Sequence, residues 1–114
     1  MHYAKAQTDF NPPLIAHENH FLGDVFASTD DKKPLSCGIS HFKRGTPLEY
    51  TYTYHEMKII LEGVAKVKDA GGQEVTATKG DVFYFPKGSV ITFSTESPDG
   101  VRAFYCGQRA KDAA

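Results

Sequence analysis

Turn signals cut this chain into pieces too short for anything but strands. Asn11-Pro12-Pro13, the polar run from Thr29 to Pro34, Lys43 to Pro47, Glu62-Gly63, Asp69 to Gly72, Pro86-Lys87-Gly88 and Pro98-Asp99-Gly100 follow one another along its length. Proline removes a backbone donor and glycine supplies positive φ, so each cluster marks a reversal. Between the clusters lie short runs in which apolar and polar residues alternate, and none holds a helical period. Short strands at regular spacing predict an all-β sandwich or barrel.

Leu35 to Phe42 alternates cleanly and places Leu35, Cys37, Ile39 and His41 on one face. Tyr50 to Tyr54 and Met57 to Leu61 follow as strands. Val64 to Val67 and Glu74 to Ala77 form a hairpin about Asp69 to Gly72. Two more strands flank Pro86-Lys87-Gly88, a turn that redirects the chain, and Val101 to Gln108 is the last strand. The expected organisation is one domain: an N-terminal arm and edge strand over 1–34, a barrel core over 35–107 and a helical or frayed tail over 108–114. His17 and His20, three apart in "HENH", are expected on opposite faces of an extended segment at the surface.

Thirteen basic residues oppose fourteen acidic ones in 114 residues, with no charge run. Nucleic acid and membranes are therefore not expected partners. No apolar run reaches the length of a membrane span, and the first residues hold no signal-peptide core. The expected location is cytoplasmic. Cys37 and Cys106 are expected there as reduced thiols packed like small core residues. A net charge of −1 does little to oppose self-association.

Two segments sharpen the fold class: "EMKIILEGVAKV", Glu56 to Val67, and "GDVFYFPKGSVITF", Gly80 to Phe93. They resemble the two motifs of the cupin family, small antiparallel jelly-roll barrels. Glu56 and Gly63 fit the interval of the first motif; Gly80, Pro86 and Gly88 fit the second. "YTYHEMKIILEG" and "GDVFYFPKGSVITFSTES" look most like the EutQ-like, ethanolamine-utilisation branch.

The resemblance implies a homodimer, and residues 11–27 could pair with the partner's sheet and so cover an exposed edge. It also implies where metal ligands would stand. Counting along the motifs puts Tyr50, Tyr52 and Ile91 at the family's histidine positions and keeps only Glu56. A facial set of imidazoles and a carboxylate is what such a metal needs. No cofactor is therefore expected, and a divalent metal is disfavoured because it would have to recruit His41 or His55.

On the same template, Tyr50 and Tyr52 share a face, Glu56 points inward, and Lys58 follows it by alternation. The expected catalytic set is Tyr50, Tyr52, Glu56 and Lys58, with His41, Tyr84, Ile91 and Phe93 as substrate-binding walls. Lys58 could anchor an anion, move a proton or form a Schiff base. It could equally pair with Glu56, and the tyrosines could simply pack as strand residues. The expected function is a small-molecule-binding cupin doing metal-independent acid/base chemistry, of isomerase, lyase or cyclase type, on a small carbonyl-containing or aromatic metabolite. The alternatives are a metal-dependent dioxygenase or lyase, and a non-catalytic EutQ-like binding or scaffold module.

Overall fold

The computed structural model describes residues 1–111. A one-turn helix, α1 (Ala6–Asp9), precedes ten strands: β1 (Leu14–Ala16), β2 (His20–Ala27), β3 (Ser36–Phe42), β4 (Leu48–Thr51), β5 (Glu56–Glu62), β6 (Ala65–Asp69), β7 (Glu74–Ala77), β8 (Val82–Phe85), β9 (Val90–Thr95) and β10 (Val101–Gly107). They form a six-stranded sheet in the order β1-β2-β3-β10-β5-β8 and a four-stranded sheet in the order β4-β9-β6-β7. Every pairing is antiparallel. From β3 onward, the β6–β7 hairpin apart, the chain passes back and forth between the sheets, so they close on each other as a jelly roll.

Alternation sends Phe42, Ile60, Val67, Phe85, Ile91, Phe93 and Ala103 into the space between the sheets. Two glycines permit the closure. Gly63, at φ 86°, lets β5 turn toward β6 where a Cβ would run into the Gly100 carbonyl. A Cβ at Gly38 would collide with the Gly23 carbonyl and the Tyr105 hydroxyl. Gly38 thus leaves room for the largest fully buried side chain of the barrel, Tyr105.

Several expectations need correction. Residues 20–27 are not an arm: β2 runs along β3 inside the larger sheet. The first residues pair with their own chain, β1 against β2, and Phe10 and Pro13 lie over Gly23. The tail is not peripheral, because Arg109 is buried and bound to Asp24; residues 112–114 of that predicted tail lie outside the described residues. Helix α1 escaped the strand pattern; it is short and buries no residue.

The face of β3 is also reversed. Ser36, Gly38, Ser40 and Phe42 line the interior, while Cys37, Ile39 and His41 point out. Hydrophobicity marked the wrong face because the outer one is apolar too, and the inner one needs small residues beside Tyr105. Cys37 and Cys106 are free thiols, directly opposed across β3 and β10 on that outer face rather than in the core. Among the described residues, no helix is long and apolar enough to cross a membrane.

Candidate functional site

The site grows from one uninterrupted alternation. Tyr50, Tyr52, Tyr54, Glu56 and Lys58 all turn inward, while Thr51, Thr53, His55 and Met57 are exposed. Tyr50 lies on β4, and Glu56 and Lys58 lie on β5. Tyr52 and Tyr54 lie on the crossover that carries the chain from one sheet to the other, not on a strand. The Pro86-Lys87-Gly88 turn holds that crossover. The Tyr52 amide donates to the Ser89 carbonyl at 2.8 Å, and the Gly88 amide donates to the Tyr52 carbonyl at 2.7 Å. The turn therefore does more than redirect the chain: it fixes the backbone of the central tyrosine.

The polar centre is a buried chain of three groups. The Tyr52 hydroxyl donates to Glu56 Oε2, and Lys58 Nζ lies 3.6 Å from the same oxygen. Glu56 is 1 % exposed and Lys58 5 %. The Lys58 ammonium also sits over the Phe93 ring, 4.4 Å from its centroid. Burial first, and the Glu56 charge second, push the Tyr52 phenol far above its ordinary value, so it remains a proton donor. Tyr50 and Tyr54 share a hydroxyl–hydroxyl hydrogen bond of 3.0 Å. Burial and then this bond raise the Tyr54 phenol.

These groups face a cavity of about 30 Å³ walled by Phe42, Leu48, Phe93 and the three tyrosine rings. That volume admits a water or two, or a few ligand atoms. The rings pack edge to face at 4.7 Å between Tyr50 and Tyr52 and at 5.5 Å between Tyr52 and Tyr54. Tyr50, half-buried, is the least enclosed of the three. The cavity also reaches Ser40 and His20. Ser40 Oγ is buried without a hydrogen-bond partner, an unspent donor and acceptor on the wall. His20 Nε2–H donates to the Thr46 carbonyl at 2.7 Å, and the ring stacks on Phe42. Burial holds this imidazole below its ordinary pKa of 6.5, which keeps it neutral.

The structure brings together Tyr50, Tyr52, Glu56, Lys58 and Phe93 and leaves three expected residues elsewhere. Tyr84 is 53 % exposed on the outer face, where its hydroxyl donates to His55 Nδ1 at 2.9 Å. Its neighbours Phe83 and Phe85 take the inward positions of β8. Ile91 is a core residue that does not reach the cavity. His41 points out of β3 toward Arg102 and the Asp99 carbonyl. Sequence reasoning missed Tyr54, which the Tyr50–Tyr52 alternation would have supplied if continued. It also missed Ser40, on the face taken as outer, and His20, expected at the surface. For those two the local pattern carried no signal, since β2 and β3 are brought to the site by pairing distant in sequence.

A cupin metal does not fit these residues. Among the described residues no three His, Cys, Asp or Glu side chains gather. Two phenols and a core isoleucine stand at the histidine positions, and the Lys58 ammonium lies against the remaining carboxylate where a cation would have to sit.

Residues 14–111 match the family model described as ethanolamine utilisation protein EutQ. The curated "Acetate kinase EutQ" of Clostridioides difficile strain 630 is 32 % identical over 85 residues, 75 % of this chain and 51 % of that protein. The chain thus spans about half the length of that relative, and about a third of two others of the same name. The fold is that of the cupins. An RmlC-like cupin with a double-stranded β-helix from Methanocaldococcus jannaschii superposes with a TM-score of 0.66 at 10 % identity, covering 82 % of this chain and 84 % of that one. The polyketide cyclase RemF from Streptomyces resistomycificus superposes with a TM-score of 0.78 at 12 % identity, over 98 % and 82 % of the two chains.

Proposed function

The chain belongs to the EutQ family, and from that premise we propose that its barrel binds a small carbonyl compound or short-chain acid and moves a proton on it without a metal. The observation that carries this reading is the buried Tyr52–Glu56–Lys58 chain on the wall of a cavity that also holds an unpartnered Ser40 hydroxyl. Burying an acid, a base and a phenol costs stability that apolar residues of similar volume would not. Such groups beside free volume are the mark of a site rather than of a core.

In this reading Glu56 takes a proton from the carbon next to the carbonyl. The electron pair moves onto the carbonyl oxygen, where the Lys58 ammonium and the Ser40 hydroxyl hold the charge. Return of the proton to the same or a neighbouring carbon completes an exchange or an isomerisation. Tyr52, fixed as a donor, orients the carboxylate. The cavity favours a substrate of a few heavy atoms; an aromatic one would need Tyr50 to swing aside. Acetate kinase, the activity named for the curated relatives, needs a cradle for nucleotide phosphates. This cavity is walled by phenol and phenyl rings, so phosphoryl transfer is no part of the proposal.

Proton exchange in D2O tests it. With small ketones and 2-oxo acids, the protein should speed deuterium uptake next to the carbonyl, and Glu56→Gln should remove at least a hundredfold of that rate. No uptake from any of these compounds, or full uptake in a Glu56→Gln, Lys58→Met double variant, would overturn the chemistry. Binding without uptake would leave a non-catalytic binding module.

A further inference from the structure

The chain carries its sulfur in two cysteines and two methionines, far apart in sequence, and the fold brings all four to one patch outside the barrel. On the outer face of the larger sheet, Cys37 of β3 stands directly opposite Cys106 of β10, and Cys106 stands directly opposite Met57 of β5. Three sulfur side chains thus follow one another across three adjacent strands. Met1 comes from the start of the chain to line, with Cys37 and Cys106, a groove of about 390 Å³. Phe26, Leu35 and Phe104 wall that groove, and no acidic or basic side chain lines it. Both thiols are free and half-buried, and Met57 is exposed. Burial first, and the neighbouring Cys37 second, raise the Cys106 thiol above its ordinary value.

We propose that Cys37, Cys106 and Met57 hold a single Cu(I) ion, with Met1 at the rim of the site. Directly opposed side chains of an antiparallel pair stand about 4.5–5.5 Å apart at Cβ. Two metal–sulfur bonds of about 2.3 Å, as in zinc thiolates, span about 4.6 Å, so one ion bridges the two sulfurs without moving either strand. The same spacing is wider than the roughly 3.8 Å between the Cβ atoms of a relaxed disulfide, which suits the pair to an ion better than to a bond. The donor set selects the metal. Thiolate and thioether are soft ligands, and a soft ion of low coordination number is satisfied by two of one and one of the other. A structural zinc needs four ligands, and the groove adds no imidazole or carboxylate to complete them. On binding, each thiol loses its proton to water as its sulfur bonds to the metal. No electron is transferred, and the charge of the ion relieves the repulsion between the two thiolates. The site lies on the opposite side of β5 from Glu56 and Lys58, so it is separate from the cavity and from any chemistry there.

Anaerobic titration of the intact, reduced chain with Cu(I), in competition with the chromogenic chelator bicinchoninate, tests the assignment. The expected result is one tightly held Cu(I) per chain, with affinity rising as pH rises because thiol protons are released. Cys37→Ser and Cys106→Ser should each weaken binding about a hundredfold, and Met57→Leu, which keeps the side chain's volume, about tenfold. Bound Cu(I) should also protect both thiols of the unaltered chain from alkylation by iodoacetamide, a readout that needs no variant to fold. Failure of the chain to take Cu(I) from bicinchoninate would overturn the proposal. So would equal copper retention by a Cys37→Ser, Cys106→Ser double variant, or thiols that stay reactive in the loaded protein.

Discussion

The barrel buries two constellations of the same chemical type, a phenol, a carboxylate and a cation, and it treats them differently. Tyr105, Asp24 and Arg109 form a closed brace. The Tyr105 hydroxyl donates to Asp24 Oδ1 at 2.6 Å, and the Arg109 guanidinium grips both carboxylate oxygens at 2.9 and 3.0 Å. Ser36 Oγ donates to the Arg109 carbonyl at 2.7 Å, tying the last strand's exit to β3. Tyr52, Glu56 and Lys58 form the open counterpart. Lys58 stops 3.6 Å short of its partner and leans on a ring, and the hydroxyl of Ser40 on the same cavity wall is left without a partner. A buried ion pair does structural work when its geometry is bidentate, as it is at Arg109 even though Arg109 Nε is itself buried without a hydrogen-bond partner. One that leaves groups unused beside free volume is held ready for something else.

The largest expected effect comes from breaking the brace. Arg109→Met leaves the Asp24 carboxylate buried without its cation and should cost about 3–5 kcal/mol of unfolding free energy in a denaturant titration. The open constellation should respond in the opposite sense. Glu56→Gln with Lys58→Met removes both charges together and should leave stability unchanged or raise it by about 1–2 kcal/mol, while abolishing ligand binding. A loss of 3 kcal/mol or more in that double variant would make the second cluster a brace like the first.

The smallest effect sharpens the contrast through pH. Burial lowers the imidazoles of His20, on the cavity wall, and His41, on the outer face, below their ordinary 6.5. The unfolded chain therefore takes up protons that the folded chain refuses. Stability is full above about pH 6.5 and is lost as pH falls through the folded-state values. Urea midpoints between about pH 7.5 and 5 should show this fall. His20→Gln should flatten it in part, with His41 supplying the remainder. An unchanged slope in His20→Gln would remove the imidazole from the cavity's account.

Much of the fold was legible in the sequence because turns are local. The Glu74–Ala77 strand, the Asp69 to Gly72 hairpin and the glycine–proline spacing from Gly80 to Gly88 rest on backbone geometry that a few neighbouring residues decide. The site was legible where it too was local: Tyr50, Tyr52, Glu56 and Lys58 lie on one continuous alternation. It was illegible where pairing across the chain decides the outcome. Ser40 and His20 become cavity residues only because β2 and β3 roll against β4 and β5, and Arg109 becomes a core residue only because Asp24 waits for it. Tyr84 and His41 failed for a related reason. Both faces of the larger sheet are covered or apolar, so hydrophobicity alone did not distinguish inside from outside.

The central claim is that the Lys58 side of the barrel is a ligand site and the Arg109 side is not. The most direct measurement is the melting temperature of the wild-type chain, Lys58→Met and Ser40→Ala against a panel of small ketones, 2-oxo acids and short carboxylates. The account predicts that at least one compound, near a hundredfold above its dissociation constant, raises the wild-type midpoint by about 5 °C or more. It also predicts that the rise vanishes in Lys58→Met and shrinks in Ser40→Ala. No shift with any compound at millimolar concentration, or equal shifts in all three proteins, would contradict it.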